Sequence, residues 1–201
     1  MIQAEHLIFD YPGHRALDDV SFTIAPQTIT ALRVGAGTEP GVDVGPLIDQ
    51  QGLDKVVAHV EDARAKGAEL VLGGARHDLG GLFYEPTLLT GVSDAMAMSQ
   101  DETFGPVAGI RRFRDEEEGI RLANDTPYGL AAYFYSRDIG RVWRVGEGLE
   151  YGIVGVNRGF VSTEVAPFGG IKESGMGREG SKYGIEDWLE IKYLAMGGID
   201  R

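Results

Sequence analysis

Apolar side chains at Leu53, Val56, Val57, Val60 and Ala63 recur at helical spacing, with Lys66 and Gly67 where a helix would stop. That period predicts an amphipathic helix over 49–66. The chain before it has a different rhythm. Residues 2–11 and 20–30 are rich in β-branched and aromatic residues on either side of Tyr11-Pro-Gly-His14, which reads as two short strands around a turn. Residues 33–46 form a Gly/Pro-rich connection without a period. After the helix, short apolar runs predict strands over 69–72, 83–90, 107–113, 130–135 and 153–157. Amphipathic stretches between them predict helices over 115–124 and 138–147. The Asp115-x-x-Glu118 start resembles a capping box, and Asn124-Asp-Thr-Pro127 ends that helix. Alternating strands and helices argue for an α/β layer. Residues 159–180 are a long irregular segment, a length more often functional than idle. A short helix near 179–188 and a final strand over 189–196 follow it. Nothing after that strand covers its edge, which suggests pairing with another chain.

Composition narrows the function. The 201 residues suffice for one domain with a sizeable core, and the 43% hydrophobic and 25% charged content is that of a soluble protein. The 30 glycines predict many tight turns. A net charge of −12 opposes binding to a phosphate backbone, so nucleic acid is not an expected partner. No apolar run approaches the ~20 residues of a membrane span, and the first residues lack a signal-peptide pattern. No membrane association and a cytoplasmic location are expected. There is no cysteine, which excludes disulfides, thiolate metal sites and a cysteine nucleophile.

Candidate motifs are weaker than they look. "TITALRVGAGTEPG", from Thr28, leads a β-branched run into glycines as a phosphate loop would, yet no Gly-Lys dipeptide follows in this chain. Gly175-Met-Gly-Arg-Glu-Gly180 spells G-x-G-x-x-G but follows a turn-rich segment, and no parallel strand comes after its helix. The histidines at 6, 14, 59 and 77 have no metal-ligand spacing and read as solvated or helix-surface residues. No metal site is expected, and no G-x-S-x-G elbow occurs. From composition alone, Glu102 is an ordinary loop carboxylate.

Longer motifs carry more. "VGAGTEPGVDVGPLID", "ETFGP", "ANDTPYGLAAYFYSRD", "STEVAPFGG" and "SGMGREGSKYGIEDWLEIKYL" follow one another over about 32–198. In that order they resemble the C-terminal part of the aldehyde dehydrogenase superfamily, closest to its succinate-semialdehyde branch. The resemblance implies a partial catalytic domain over 33–188 and an oligomerisation strand in 189–201. It implies NAD or NADP as cofactor and an aldehyde, succinate semialdehyde by branch, as substrate. By the same resemblance Glu102 holds the nicotinamide ribose, Phe104 lies beside the nicotinamide and Lys55 contacts the adenosine ribose. Phe168 walls the aldehyde site, and Ser162 helps bind the substrate carboxylate. Acceptor oxygens for a ribose diol and a flat apolar face for a ring suit those residue types.

The departures bear on activity. Family catalysis needs a cysteine thiolate, a glutamate base, an asparagine oxyanion donor and a Rossmann domain, all upstream of where the resemblance begins. With no cysteine, no thiohemiacetal forms, so no residue of this chain is assigned as catalytic and the chain alone is expected to be inactive. Residues 1–32 resemble the opening of an ABC-type ATPase, with Tyr11 in the adenine-stacking position and "ALDDVSFTI" after it. On that reading the chain joins two truncated families at about Leu32. The alternatives are an interaction module that pairs through 189–196 with another copy or an intact dehydrogenase subunit, and a fusion without a selected function.

Overall fold

The computed structural model describes residues 32–198, and the backbone alone of residues 2–11 and 14–24. The chain divides into two compact units, one comprising Met1–Thr90 with Thr103–Gly109, the other Gly91–Glu102 with Ile110–Arg201. The division runs through the predicted 33–188 segment.

In the first unit, strands β1 (Ile2–Tyr11) and β2 (His14–Ile24) form an antiparallel hairpin that runs from Ile2↔Ile24 to Tyr11↔His14 with several register shifts. The second strand begins earlier than its apolar pattern suggests, because pairing with β1 also gives Arg15 and Leu17 ladder partners. Helix α1 (Gln50–Ala65) matches its periodicity. Asp49 caps it by accepting from the Gly52 N–H at 2.7 Å. At the other end Gly67, at φ +101, donates to the Arg64 carbonyl and Ala68 donates to that of Ala63. These two bonds close the helix in the paired pattern that a left-handed residue permits.

Helix α1 buries Leu53, Val56, His59, Val60 and Ala63. With Ala68, Tyr84, Thr87 and Leu89 they form the buried interior of this unit. Each fully buried Leu or Val contributes about 1.5–3 kcal/mol relative to an exposed one. Strands β3 (Glu69–Leu72), β4 (Thr87–Thr90) and β5 (Val107–Ile110) form a sheet in that order. β4 is shorter than the predicted 83–90. Residues 83–85 bond instead to the 75–77 turn, through His77 N–H to the Phe83 carbonyl and Glu85 N–H to that of Ala75, and Pro86 has no N–H to give.

The second unit begins with a 3-10 turn at Ala97–Ser99, then α2 (Glu116–Asn124). Asp115 accepts from the Glu118 N–H at 2.9 Å, as the capping-box pattern implies. The return bond is displaced by one residue, with Glu118 accepting from the Arg114 N–H at 2.7 Å. Strands β6 (Tyr128–Gly129) and β7 (Ala131–Phe134) follow, then α3 (Ile139–Gly148), capped by Asp138, and β8 (Ile153–Val156). β7 and β8 are parallel, from Ala131↔Ile153 to Phe134↔Val156, so β7-α3-β8 is a βαβ unit. Glu116 of α2 accepts from Arg141 at 2.9 Å and Arg144 at 2.8 Å, both on α3.

The C-terminal part departs from expectation. The irregular segment contains one short strand, β9 (Ile171–Lys172), antiparallel to β6. The helix expected near 179–188 is a single 3-10 turn at Glu186–Trp188. Gly180 at φ +69 and Ser181 at φ 50 interrupt any α-helical run. Residues 189–196 have no ladder partner among the described residues, and their apolar side chains are exposed.

Candidate functional site

The E-T-F-G-P loop connects the two units, and the boundary between them falls between Glu102 and Thr103. On the first-unit side, Thr103 Oγ1 lies 3.0 Å from Nδ1 of the buried His59. Two residues on, a side chain at Gly105 would collide with Val56 of α1, so only glycine lets the loop lie this close to the helix. The Pro106 carbonyl accepts from the Thr87 N–H at 2.8 Å. With both neighbours held, Phe104 between them adopts φ 50 and stands 78% exposed. A bulky residue in the left-handed region is strained, and such strain persists only where surrounding contacts over-determine it.

His59 therefore departs from its expected surface role. It lies on the apolar face of α1 with only 6% exposure, its ring held beside the Thr103 hydroxyl. It stands three residues after Val56 and four before Ala63, on the buried stripe that the sequence reading did not extend to it. Its partner lies 44 positions away, where local pattern gives no signal.

Lys55 and Phe104 line one groove of about 550 Å3, together with Pro46, Ile48 and Thr103. Two of the residues assigned to a cofactor are thus brought together, a cation and an exposed aromatic face. Glu102 is exposed and lines a cavity of about 310 Å3 in the second unit, with Gln100, Tyr128, Leu130, Tyr151 and Ser174. The Tyr151 hydroxyl donates to the Ala123 carbonyl at 2.5 Å, and burial raises its pKa above the ordinary tyrosine value. Ser174 Oγ accepts from the Gly129 N–H at 2.9 Å, which fixes the floor where β6 leads into β7.

Phe168 is half-buried and lines a second cavity of this unit, about 440 Å3, whose walls include Leu130 and Ser174. Glu102 and Phe168 thus lie in cavities with common walls. Ser162 is exposed and lines neither. Sequence reasoning gave no role to Leu130 and Ser174, which lie within the quoted motifs, or to Tyr151, which lies outside them.

The G-x-G-x-x-G stretch has a structural use. Phe168 and Glu179 pair as an antiparallel bridge, with both N–H···O distances at 2.8 Å. Arg178 donates to the Gly170 carbonyl at 2.8 Å, and its own N–H is accepted by Asp187 at 2.8 Å. Gly177, at φ +81, leaves the Asp187 carboxylate the space that a Cβ would fill. Gly180, at φ +69, likewise lies against the Ala166 carbonyl, and the stretch opens no α-helix among the described residues.

The aldehyde dehydrogenase family profile matches residues 15–194. The chain belongs to the aldehyde dehydrogenase family. It is 59% identical over 172 residues to a 3-sulfolactaldehyde dehydrogenase of Pseudomonas putida, covering 86% of this chain and 35% of that one. It is 58% identical over 171 residues to the NADP(+) succinate-semialdehyde dehydrogenase of Escherichia coli, covering 85% and 36%. A crystal structure of succinate-semialdehyde dehydrogenase from Burkholderia pseudomallei aligns with a TM-score of 0.79 at 62% identity, over 81% of this chain and 34% of the other. Betaine aldehyde dehydrogenase from Staphylococcus aureus in complex with NAD+ aligns with a TM-score of 0.75 at 39% identity, over 79% and 32%. The chain thus spans about a third of the length of the relatives it matches. Its fold is a mixed α/β part of the aldehyde dehydrogenase fold. The profile match begins at residue 15, ahead of the junction expected at about Leu32.

Proposed function

We propose that this chain supplies the cofactor-facing and substrate-facing C-terminal part of an NAD(P)+-dependent semialdehyde dehydrogenase, and that the 201 residues alone do not turn over an aldehyde. The observation that carries the reading is Phe104, held outward in a strained conformation beside a groove that also includes Lys55. A flat apolar face and a nearby cation fit the nicotinamide and ribose-phosphate portions of a dinucleotide. On this reading Phe104 lies against the nicotinamide, Glu102 accepts from its ribose hydroxyls, and Lys55 contacts the adenosine ribose. Bound NAD(P)+ would supply the hydride acceptor. Phe168 shields the aldehyde from water, and Ser162 donates to an anionic tail. Succinate semialdehyde is the favoured substrate, since several relatives carry that name at 53–58% identity. The absence of cysteine makes the isolated chain silent.

The test is saturation-transfer NMR of NAD+ and NADP+ on the purified chain, with a parallel absorbance assay using succinate semialdehyde. Transfer to the nicotinamide protons that is lost in Phe104→Ala, without reduced cofactor accumulating, is the expected result. Transfer that survives the substitution defeats the assignment, and cofactor reduction defeats the inactivity.

A second reading, an interaction module, draws on the exposed Ile191, Tyr193, Leu194 and Met196. Residues 189–196 would then add a strand to another copy or to an intact dehydrogenase subunit. Co-purification that is unaffected by Ile191→Pro would end that reading. The resemblance of residues 1–32 to an ABC-type ATPase fits a joined segment without a nucleotide site of its own, since no phosphate loop follows it.

A further inference from the structure

Beyond the C-terminal ends of β7 and β8 lies a cavity of about 610 Å3 lined by Tyr135, Ser136, Arg137 and Asn157. The two strands run parallel, so both segments leave the sheet at this end. Two lining residues serve each other. Asn157, at φ 56, accepts from the Ser136 N–H at 2.9 Å and donates to its carbonyl at 2.7 Å, so its side chain continues the ladder past Val156. Ser136 Oγ accepts from the Asp138 N–H at 3.2 Å. The rim is therefore fixed, and its polar capacity is mostly spent.

What is left is the Arg137 guanidinium and the Tyr135 hydroxyl. Both residues are exposed, and neither side chain makes a hydrogen bond or ion pair among the described residues. The nearest acid in sequence, Asp138, is committed elsewhere, accepting from the Arg141 N–H at 2.9 Å as the cap of α3. On the neighbouring strand Arg158 follows Asn157 directly, is exposed, and is equally without a partner among the described residues. The Ser136–Asn157 bonds hold these two arginines at the same end of the strand pair. A guanidinium presents its donors in a planar fork that matches a carboxylate, and a phenol adds one more donor.

We infer that this cavity is an anion site for a small carboxylate- or sulfonate-bearing molecule, with Arg137 as its fork, Tyr135 as an additional donor and Arg158 as a second cation. It shares no lining residue with the cavities of Glu102 or Phe168. The inference therefore stands whether or not the dehydrogenase reading does.

Arginine Nε resonances of the full chain, followed during titration with succinate and with sodium chloride at equal ionic strength, test it. Saturable shifts at Arg137 and Arg158 with succinate alone are expected. Arg137→Gln should weaken that binding about tenfold, the size of a lost charge-assisted hydrogen bond. Tyr135→Phe should weaken it less, and it also serves if the first variant folds poorly. Identical, non-saturating shifts with both salts overturn the site. So does succinate binding that Arg137→Gln leaves unchanged. Tighter saturation by inorganic phosphate than by succinate overturns the carboxylate assignment.

Discussion

The two units handle their apolar side chains in opposite ways. The first buries Leu53, Val56, Val60, Ala63, Ala68, Tyr84 and Leu89 to 8% exposure or less. In the second, Met96 is the one large apolar residue buried to that degree among the described residues. There Ile139 and Trp143, one turn apart on α3, are 71% and 65% exposed, and Ile191 is 99% exposed. Both units have well-capped helices and paired strands. Secondary structure alone therefore does not reveal which part has a dry interior.

The sharpest test of that contrast is a matched pair of truncations. Leu53→Ala removes a fully buried side chain and should cost about 2–5 kcal/mol, whereas Trp143→Ala should stay within about 0.5 kcal/mol. Urea unfolding followed by far-ultraviolet circular dichroism measures both. Equal losses would erase the distinction between the units.

His59→Ala comes next. It leaves the Thr103 hydroxyl without its partner in a part-buried site and should cost about 1–3 kcal/mol. It should also weaken the NAD(P)+ contact at Phe104, read by saturation transfer. Undiminished transfer would show that the tie does not position the loop.

Phe104→Gly should shift stability the other way, by up to about 1 kcal/mol, because glycine accepts φ 50 without strain. The same change should remove the nicotinamide contact. A clear loss of stability would mean that Phe104 supports the fold.

The smallest effect concerns Glu116, whose pKa is lowered by hydrogen bonds from Arg144 and then Arg141. A carboxylate with a depressed folded pKa adds stability above its ordinary value of 4.5 and loses it as pH falls through the folded value. The unfolding midpoint of Glu116→Gln should therefore lie below that of the parent at neutral pH and converge with it under acid. A constant difference would assign the effect to packing.

Where structure was legible in the sequence, the cause was local. α1 follows from its period, and Asp49, Asp115 and Asp138 each accept from an N–H three residues on. The parts that pattern did not reveal depend on distant partners. Residues 83–85 turn from strand to loop because 75–77 compete for their bonds. The helix expected near 179–188 yields to positive φ at Gly180 and Ser181. Of the candidate residues, Lys55 and Phe104 line one groove, and Glu102 and Phe168 lie in cavities with common walls. Ser162 joins none of these, and the His59–Thr103 tie spans 44 positions, so no local window contains it.

Both tryptophans, Trp143 and Trp188, lie in the second unit and are 65% and 86% exposed. Their emission starts near the solvent-exposed limit and has little room to shift to the red. A chain whose first unit had melted would still look intact in a fluorescence trace, while the ellipticity of α1 fell. For this molecule, the choice of optical signal decides which half is seen to unfold.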